Sequence, residues 1–94
     1  MTVELEAEAF GDDSGRVIRL PTRRFPAVAI QGDSLHVLVE DLSETLLLVS
    51  EGGDRESIKV SLEGVLSTLR EYRELYERSL QAEGWSLPYT RNDG

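Results

Sequence analysis

Ala27-Val-Ala-Ile-Gln-Gly-Asp-Ser-Leu-His36 is the stretch across which the chain changes its hydrophobic period. Upstream, Val3-Glu-Leu-Glu-Ala-Glu-Ala9 alternates strictly, with Val3, Leu5, Ala7 and Ala9 on one side and Glu4, Glu6 and Glu8 on the other. A repeat of two residues is that of a half-buried strand. Downstream, Leu35, Leu38, Leu42, Leu46 and Val49 step by 3, 4, 4 and 3, which is one face of a helix. Ala27–Ile30 itself reads as a short third strand, ended by Gln31-Gly32. Asp33 or Ser34 then stands where a side-chain oxygen caps a helix.

Working outward, Gly11-Asp-Asp-Ser-Gly15 is a run of turn residues, and Arg16-Val-Ile-Arg-Leu20 reads as the return strand of a hairpin. Acids of the first strand would face arginines of the second, each pair worth about 0.2–1 kcal/mol. Pro21 and Pro26 interrupt regular structure between the second and third strands. Toward the C-terminus, a first helix is predicted over residues 34–50. Val37, Val39, Leu47 and Leu48 widen its apolar face beyond half the circumference, so it should lie between two neighbours. Gly52-Gly53 breaks it and Asp54 can cap the next helix.

That second helix is marked by Ile58, Leu62, Val65, Leu69, Tyr72 and Tyr76, with Leu80 continuing the face and Gly84 ending it. Over residues 54–83 it would be roughly 45 Å long, against about 25 Å for the first. Its overhang needs cover from the hairpin, the Trp85-to-Tyr89 tail or a second copy of the chain. A homodimer is therefore expected, with Leu69, Tyr72, Tyr76 and Leu80 as candidate interface residues. The expected architecture is α+β: an N-terminal β-hairpin with a short third strand, then a helical hairpin with a long C-terminal helix. It is read as one domain over 1–94, with a β part at 1–32, the helical hairpin at 33–84 and a tail at 85–94.

Composition narrows function. Ninety-four residues are too few for folds that need roughly 200, including dinucleotide-binding sheets and (β/α)₈ barrels. There is no cysteine, which excludes disulfides, thiolate metal sites and Cys nucleophiles. The net charge is −8, built from −5 over residues 1–15, +4 over 16–26 and −6 over 27–57, with the remainder near neutral. An acidic chain repels phosphate backbones, so no nucleic acid is expected, whereas a basic protein partner suits the surface. The longest apolar run, Leu46–Val49, is far short of a membrane span, and no basic stretch leads into an apolar one near Met1. No membrane association and a cytoplasmic location are expected.

Gly32-Asp-Ser-Leu35 resembles the nucleophile block of the Gly-Asp-Ser-Leu hydrolases, and a serine at a strand-to-helix turn sits beside backbone donors. That family draws its base from a C-terminal Asp-x-x-His block, which this chain lacks. Its single histidine, His36, is two residues from Ser34, about 200° away around a helix. No catalytic residue is assigned. Arg23, Arg24, Phe25, Gln31, Ser34 and His36 instead form a candidate ligand or partner site, in which two arginines beside a helix N-terminus would hold an anion. A lone histidine among solvated carboxylates gives no metal site, and no cofactor is expected.

Arg19-Leu-Pro-Thr-Arg-Arg-Phe-Pro26, Gln31-Gly-Asp-Ser-Leu35 and Leu87-Pro-Tyr89 together resemble a family of short bacterial proteins of unknown function. There an Arg-Arg-Phe-Pro-Gly block precedes Gln-Gly-Asp-Ser-Leu, and Ala27 stands here where that family has glycine. The resemblance implies no activity, but it singles out residues 19–35. The favoured expectation is a non-enzymatic protein–protein interaction module, with an immunity-type protein as its specific form. An anion-binding domain built on the arginine connector is the alternative.

Overall fold

The computed structural model describes residues 6–11 and 15–91. The chain is α+β: a three-stranded antiparallel sheet followed by two helices. The elements are β1 (Glu8–Ala9), β2 (Val17–Arg19), β3 (Ala27–Val28), α1 (Gly32–Ser50) and α2 (Arg55–Ala82). Val3–Leu5 of the expected first strand, and the centre of the expected turn at 12–14, lie outside the described residues. The strands are in order β1-β2-β3, with Glu8 opposite Arg19, Ala9 opposite Ile18, Val17 opposite Val28 and Ile18 opposite Ala27. The acid-facing-arginine register expected for the hairpin is therefore present at Glu8 and Arg19.

One expectation for β1 is corrected. Ala7 and Ala9, read as the core-facing side, are exposed, and Phe10 is the buried residue. The Phe10 amide donates to the Val17 carbonyl at 2.8 Å, which puts the ring on the sheet face that carries Glu8 and Val17. The large side chain sets the inward face, because two methyl groups bury far less apolar area than one phenyl ring.

The chain divides into two compact units, 1–29 with 72–94, and 30–71. In the first, Phe10 and Val17 of the sheet region pack with Leu75 and Leu80 of α2, and Val28, Tyr76, Trp85 and Leu87 close around them. Val17 and Leu80 are the large side chains removed fully from solvent. Trp85 meets Phe10 edge-on, ring centroids 5.1 Å apart, and the Arg19 guanidinium lies 4.9 Å from the Trp85 ring centre. The overhang of α2 is thus covered by the chain's own sheet and tail.

Gly11 makes this seating possible. Its φ is +85°, and a Cβ there would lie 2.6 Å from the Ser79 Cβ and 2.8 Å from the Ser79 Cα. The strand end and the helix backbone touch, so there is room for a hydrogen at Gly11 and for a small side chain at Ser79.

The second unit is a helical hairpin. The four residues 51–54 join α1 and α2, short enough to force an antiparallel pair. Leu38 and Thr45 of α1 and Val65 of α2 are buried, with Leu48, Ile58, Ser61 and Thr68 half-buried. The Thr45 hydroxyl bonds to Ser61 across the seam and donates to its own helix at the Asp41 carbonyl, 2.8 Å away.

Helix ends follow local chemistry. α1 closes with Gly52 at φ +69°, the Gly53 amide reaching the Leu48 carbonyl at 2.6 Å and the Gly52 amide the Val49 carbonyl at 3.2 Å. α2 repeats the arrangement at Gly84 (φ +72°), with Trp85 to Leu80 at 2.9 Å and Gly84 to Gln81 at 3.0 Å. Both are Schellman caps. Asp54 caps α2 as expected, accepting from the Ser57 hydroxyl at 3.0 Å and the Ser57 amide at 3.1 Å. Those bonds hold its carboxyl below the usual carboxylate range. The cap expected for α1 is corrected: the helix starts at Gly32, and Gln31 is the N-cap without a side-chain bond. Asp33 acts from inside the first turn, its Oδ1 accepting the Ser34 amide at 2.9 Å.

Replacing Gly11 by alanine should destabilise the chain well beyond the roughly 1 kcal/mol that a left-handed backbone position alone costs. Gly15→Ala is the reference, since Gly15 has φ +74° and open space around it. Urea unfolding of the two variants checks this, and equal losses would show that no close approach to Ser79 exists.

Candidate functional site

The residues read as a site separate into the two units. Arg23, Arg24 and Phe25 belong to the first, and Gln31, Ser34 and His36 to the second. Arg23 follows a turn closed by its amide on the Leu20 carbonyl at 3.1 Å. With Arg19, Leu20 and Pro21 it lines a shallow cleft of about 220 Å³ whose other wall is Glu6 and Glu8. Two arginines and two glutamates line this cleft, so its formal charges balance. Arg24 turns to its neighbour instead, lying 5.3 Å from the centre of the exposed Phe25 ring.

Gln31, at the start of α1, is exposed, Ser34 is half-buried and His36 is exposed. Because α1 is helical throughout this stretch, Ser34 and His36 project about 200° apart and do not form a nucleophile–base pair within the chain. Asp33 occupies the position where the helix N-terminus would otherwise receive an anion. Among the described residues, no group of three or more His, Asp or Glu is placed to hold a metal ion.

The residues read as an interface are also divided. Leu80 is fully buried in the core of the first unit, and Tyr76 packs on that core with its ring stacked on Tyr89, centroids 6.5 Å apart. Their apolar surface is used inside the chain, which corrects their reading as contacts for a second copy. Tyr72 is half-buried, and Leu69 alone of the four is broadly exposed.

Exposed apolar surface instead concentrates on the helical hairpin. Leu35, Val39, Leu42, Leu46 and Val49 form a stripe on α1 with spacings of 4, 3, 4 and 3. Leu62, Leu66 and Leu69 form a second stripe on α2, and all eight residues are 43–67% exposed. At 100° per residue, each stripe is displaced by about 90–100° from the buried seam of its helix, in the same rotational sense. On an antiparallel pair, stripes displaced in the same sense fall on the same side. The hairpin therefore has one open apolar face, spanned by both helices. α1, expected to lie between two neighbours, has one neighbour within its unit, α2.

The breadth of the apolar surface of α1 is legible in the sequence as a helix between two neighbours, without saying which residues face the second of them. The usable signal was the strict 4-3-4-3 spacing beginning at Leu35, beside a seam built on Leu38 and Thr45. The Gly11–Ser79 contact had a fainter trace, a small residue set between Leu75 and Leu80 on the buried side of α2.

The C-terminal tail is tied to α2 through Glu77, which accepts from the Tyr89 hydroxyl at 2.8 Å and from Arg91 at 2.7 Å. Alongside lies an open groove of about 400 Å³, with Glu74, Gln81, Trp85 and Leu87 among its walls. Its charges are mixed, and Glu77 is already engaged twice.

The chain is an α+β protein with a small sheet and a helical hairpin. A family of unknown function, DUF6959, matches residues 3–89, and the chain belongs to that family. No curated protein and no solved structure matches it. Among the described residues, no helix is long and apolar enough to cross a membrane.

Desolvation first, and then the hydrogen bond to Glu77, push the Tyr89 hydroxyl up to about 12 from its ordinary 10.0. Neutral Tyr89 favours the folded state, so its contribution is complete below pH 10.0 and is lost as pH rises toward 12. An absorbance titration of tyrosinate should show a late-titrating component that Tyr89→Phe removes. Tyr76, also pushed up by burial, titrates late in both proteins, so a profile left wholly unchanged by the substitution would show that Tyr89 is not held against α2.

Proposed function

We propose that this chain is a protein–protein interaction module that works through the open face of the α1–α2 hairpin, with no catalytic step of its own. One observation carries the reading: eight apolar side chains from two adjacent helices, each 43–67% exposed, lie on one side of the pair. Lone exposed leucines are ordinary, whereas a continuous apolar surface of this extent marks a contact with another macromolecule. The anion-binding reading has no comparable support, because Arg19 and Arg23 share their cleft with Glu6 and Glu8.

A benzophenone amino acid in place of Leu42, in cells producing the full chain, should give a discrete covalent adduct on irradiation. The same group in place of Glu44, on the far side of α1, should not. Absence of any adduct from position 42 sinks the interaction reading, whatever the oligomeric state. Hydrolysis of p-nitrophenyl esters should stay at the buffer rate and be indifferent to Ser34→Ala. Turnover abolished by that substitution would replace the interaction module with an esterase.

A further inference from the structure

Resting on the interaction reading, we infer that the occupant of the hairpin's open face is a second copy of this chain, so that two helical hairpins stack into a four-helix arrangement. Extent is the first argument. By accessible-area bookkeeping the eight side chains leave on the order of 700 Å² open, near the ~800 Å² that each partner contributes to a standard interface. The largest apolar patch of an ordinary monomer is about 300–600 Å².

Self-complementarity is the second argument. A two-fold interface brings a patch against itself, so a charged patch is penalised and an uncharged apolar one is not. No charged residue lies within the α1 stripe, and Ser43 and Ser50 border it on its outer side. The acids Asp33, Glu40 and Glu44 point away on the opposite side of α1. On α2, Arg55 continues the line of the stripe at its end and Lys59, paired with Glu63, borders it, so the charges at the rim of this face are basic and a basic partner would find little to recognise.

Shape is the third. Spacings of 4, 3, 4 and 3 on α1 keep the stripe along one line of the helix, the pattern by which helices interlock side chains in bundles. Within the hairpin, the seam contains the small polar pair Thr45 and Ser61, while leucines and valines line the open face. The seam itself is closed by Leu38, Leu48, Ile58 and Val65, so the leucines and valines of the open face are additional to the apolar residues that hold the hairpin together.

The test uses the full chain, purified alone. Light scattering at tens of micromolar should give twice the 10.5 kDa chain mass, falling toward the single mass on dilution. Leu42→Glu with Leu46→Glu should give the single mass at every concentration. Leu47→Glu with Val60→Glu, equally exposed positions off the face, should keep the double mass. Circular dichroism confirms that each variant is folded, and Leu42→Gln with Leu46→Gln replaces the glutamate pair should that pair unfold. A wild-type chain of single mass, or a folded face variant that stays double, overturns the proposal. A single-mass chain that still gives an adduct with another protein from position 42 removes the second copy but leaves the interaction module standing.

Discussion

The seating of the last three turns of α2 on the sheet is the contact on which the first unit depends. Strands of two or three residues cannot hold a sheet together through their own hydrogen bonds. What fixes them is Val17 and Phe10 pressed against Leu75 and Leu80, with Trp85 closing the edge of that cluster. The Schellman cap at Gly84 is part of the same arrangement. It turns the chain back so that Trp85 follows the helix into the core instead of continuing away along its axis. Arg19 then lies on the exposed side of the indole, so one residue of β2 is both the cross-strand neighbour of Glu8 and a cover for the core.

How much of this the sequence disclosed depends on which force decided each element. Helix ends were legible because local chemistry sets them: Asp54 with Ser57, and the glycines after each helix, act within a few residues of one another. That acids of β1 face arginines of β2 was legible from the opposite charges on the two strands, and Glu8 and Arg19 are such a pair. The inward face of β1 was not legible. Alternation counts apolar positions equally, while burial is weighted by area, and the single ring of Phe10 outweighs Ala7 and Ala9. The destination of the long helix stays open in the sequence between the hairpin, the tail and a second copy. A heptad shows that a face must be covered, but it does not say by what, and for Tyr76 and Leu80 the cover is this chain's own sheet and tail.

The candidate site joins residues close in sequence, and the fold gives those residues different surroundings. Arg23 and Arg24 are adjacent, yet one lines a cleft with Glu6 and Glu8 while the other rests on Phe25. Arg19 and Arg23, two of the four arginines of the +4 segment, share a cleft with Glu6 and Glu8, and Glu8 is the cross-strand neighbour of Arg19. The acidity is heaviest elsewhere. The stretch 27–57, at −6, includes α1, so the uncompensated charge is concentrated on a helix and its flanks.

On α1 that charge and the apolar stripe occupy different sides, and their separation bears on how the helix can be used. Asp33, Glu40 and Glu44 keep the far side hydrated, while Leu35, Val39, Leu42, Leu46 and Val49 remain together without a charge among them. A helix selected only to fold against α2 would need apolar residues along the seam and polar ones elsewhere. Here the seam includes Thr45, whose hydroxyl is satisfied by Asp41 and Ser61, and the leucines lie beside it. Exposed leucines in water gain nothing for an isolated hairpin and raise its tendency to aggregate. Their confinement to one line, on the side they share with Leu62, Leu66 and Leu69, is what a surface shaped for a defined contact requires.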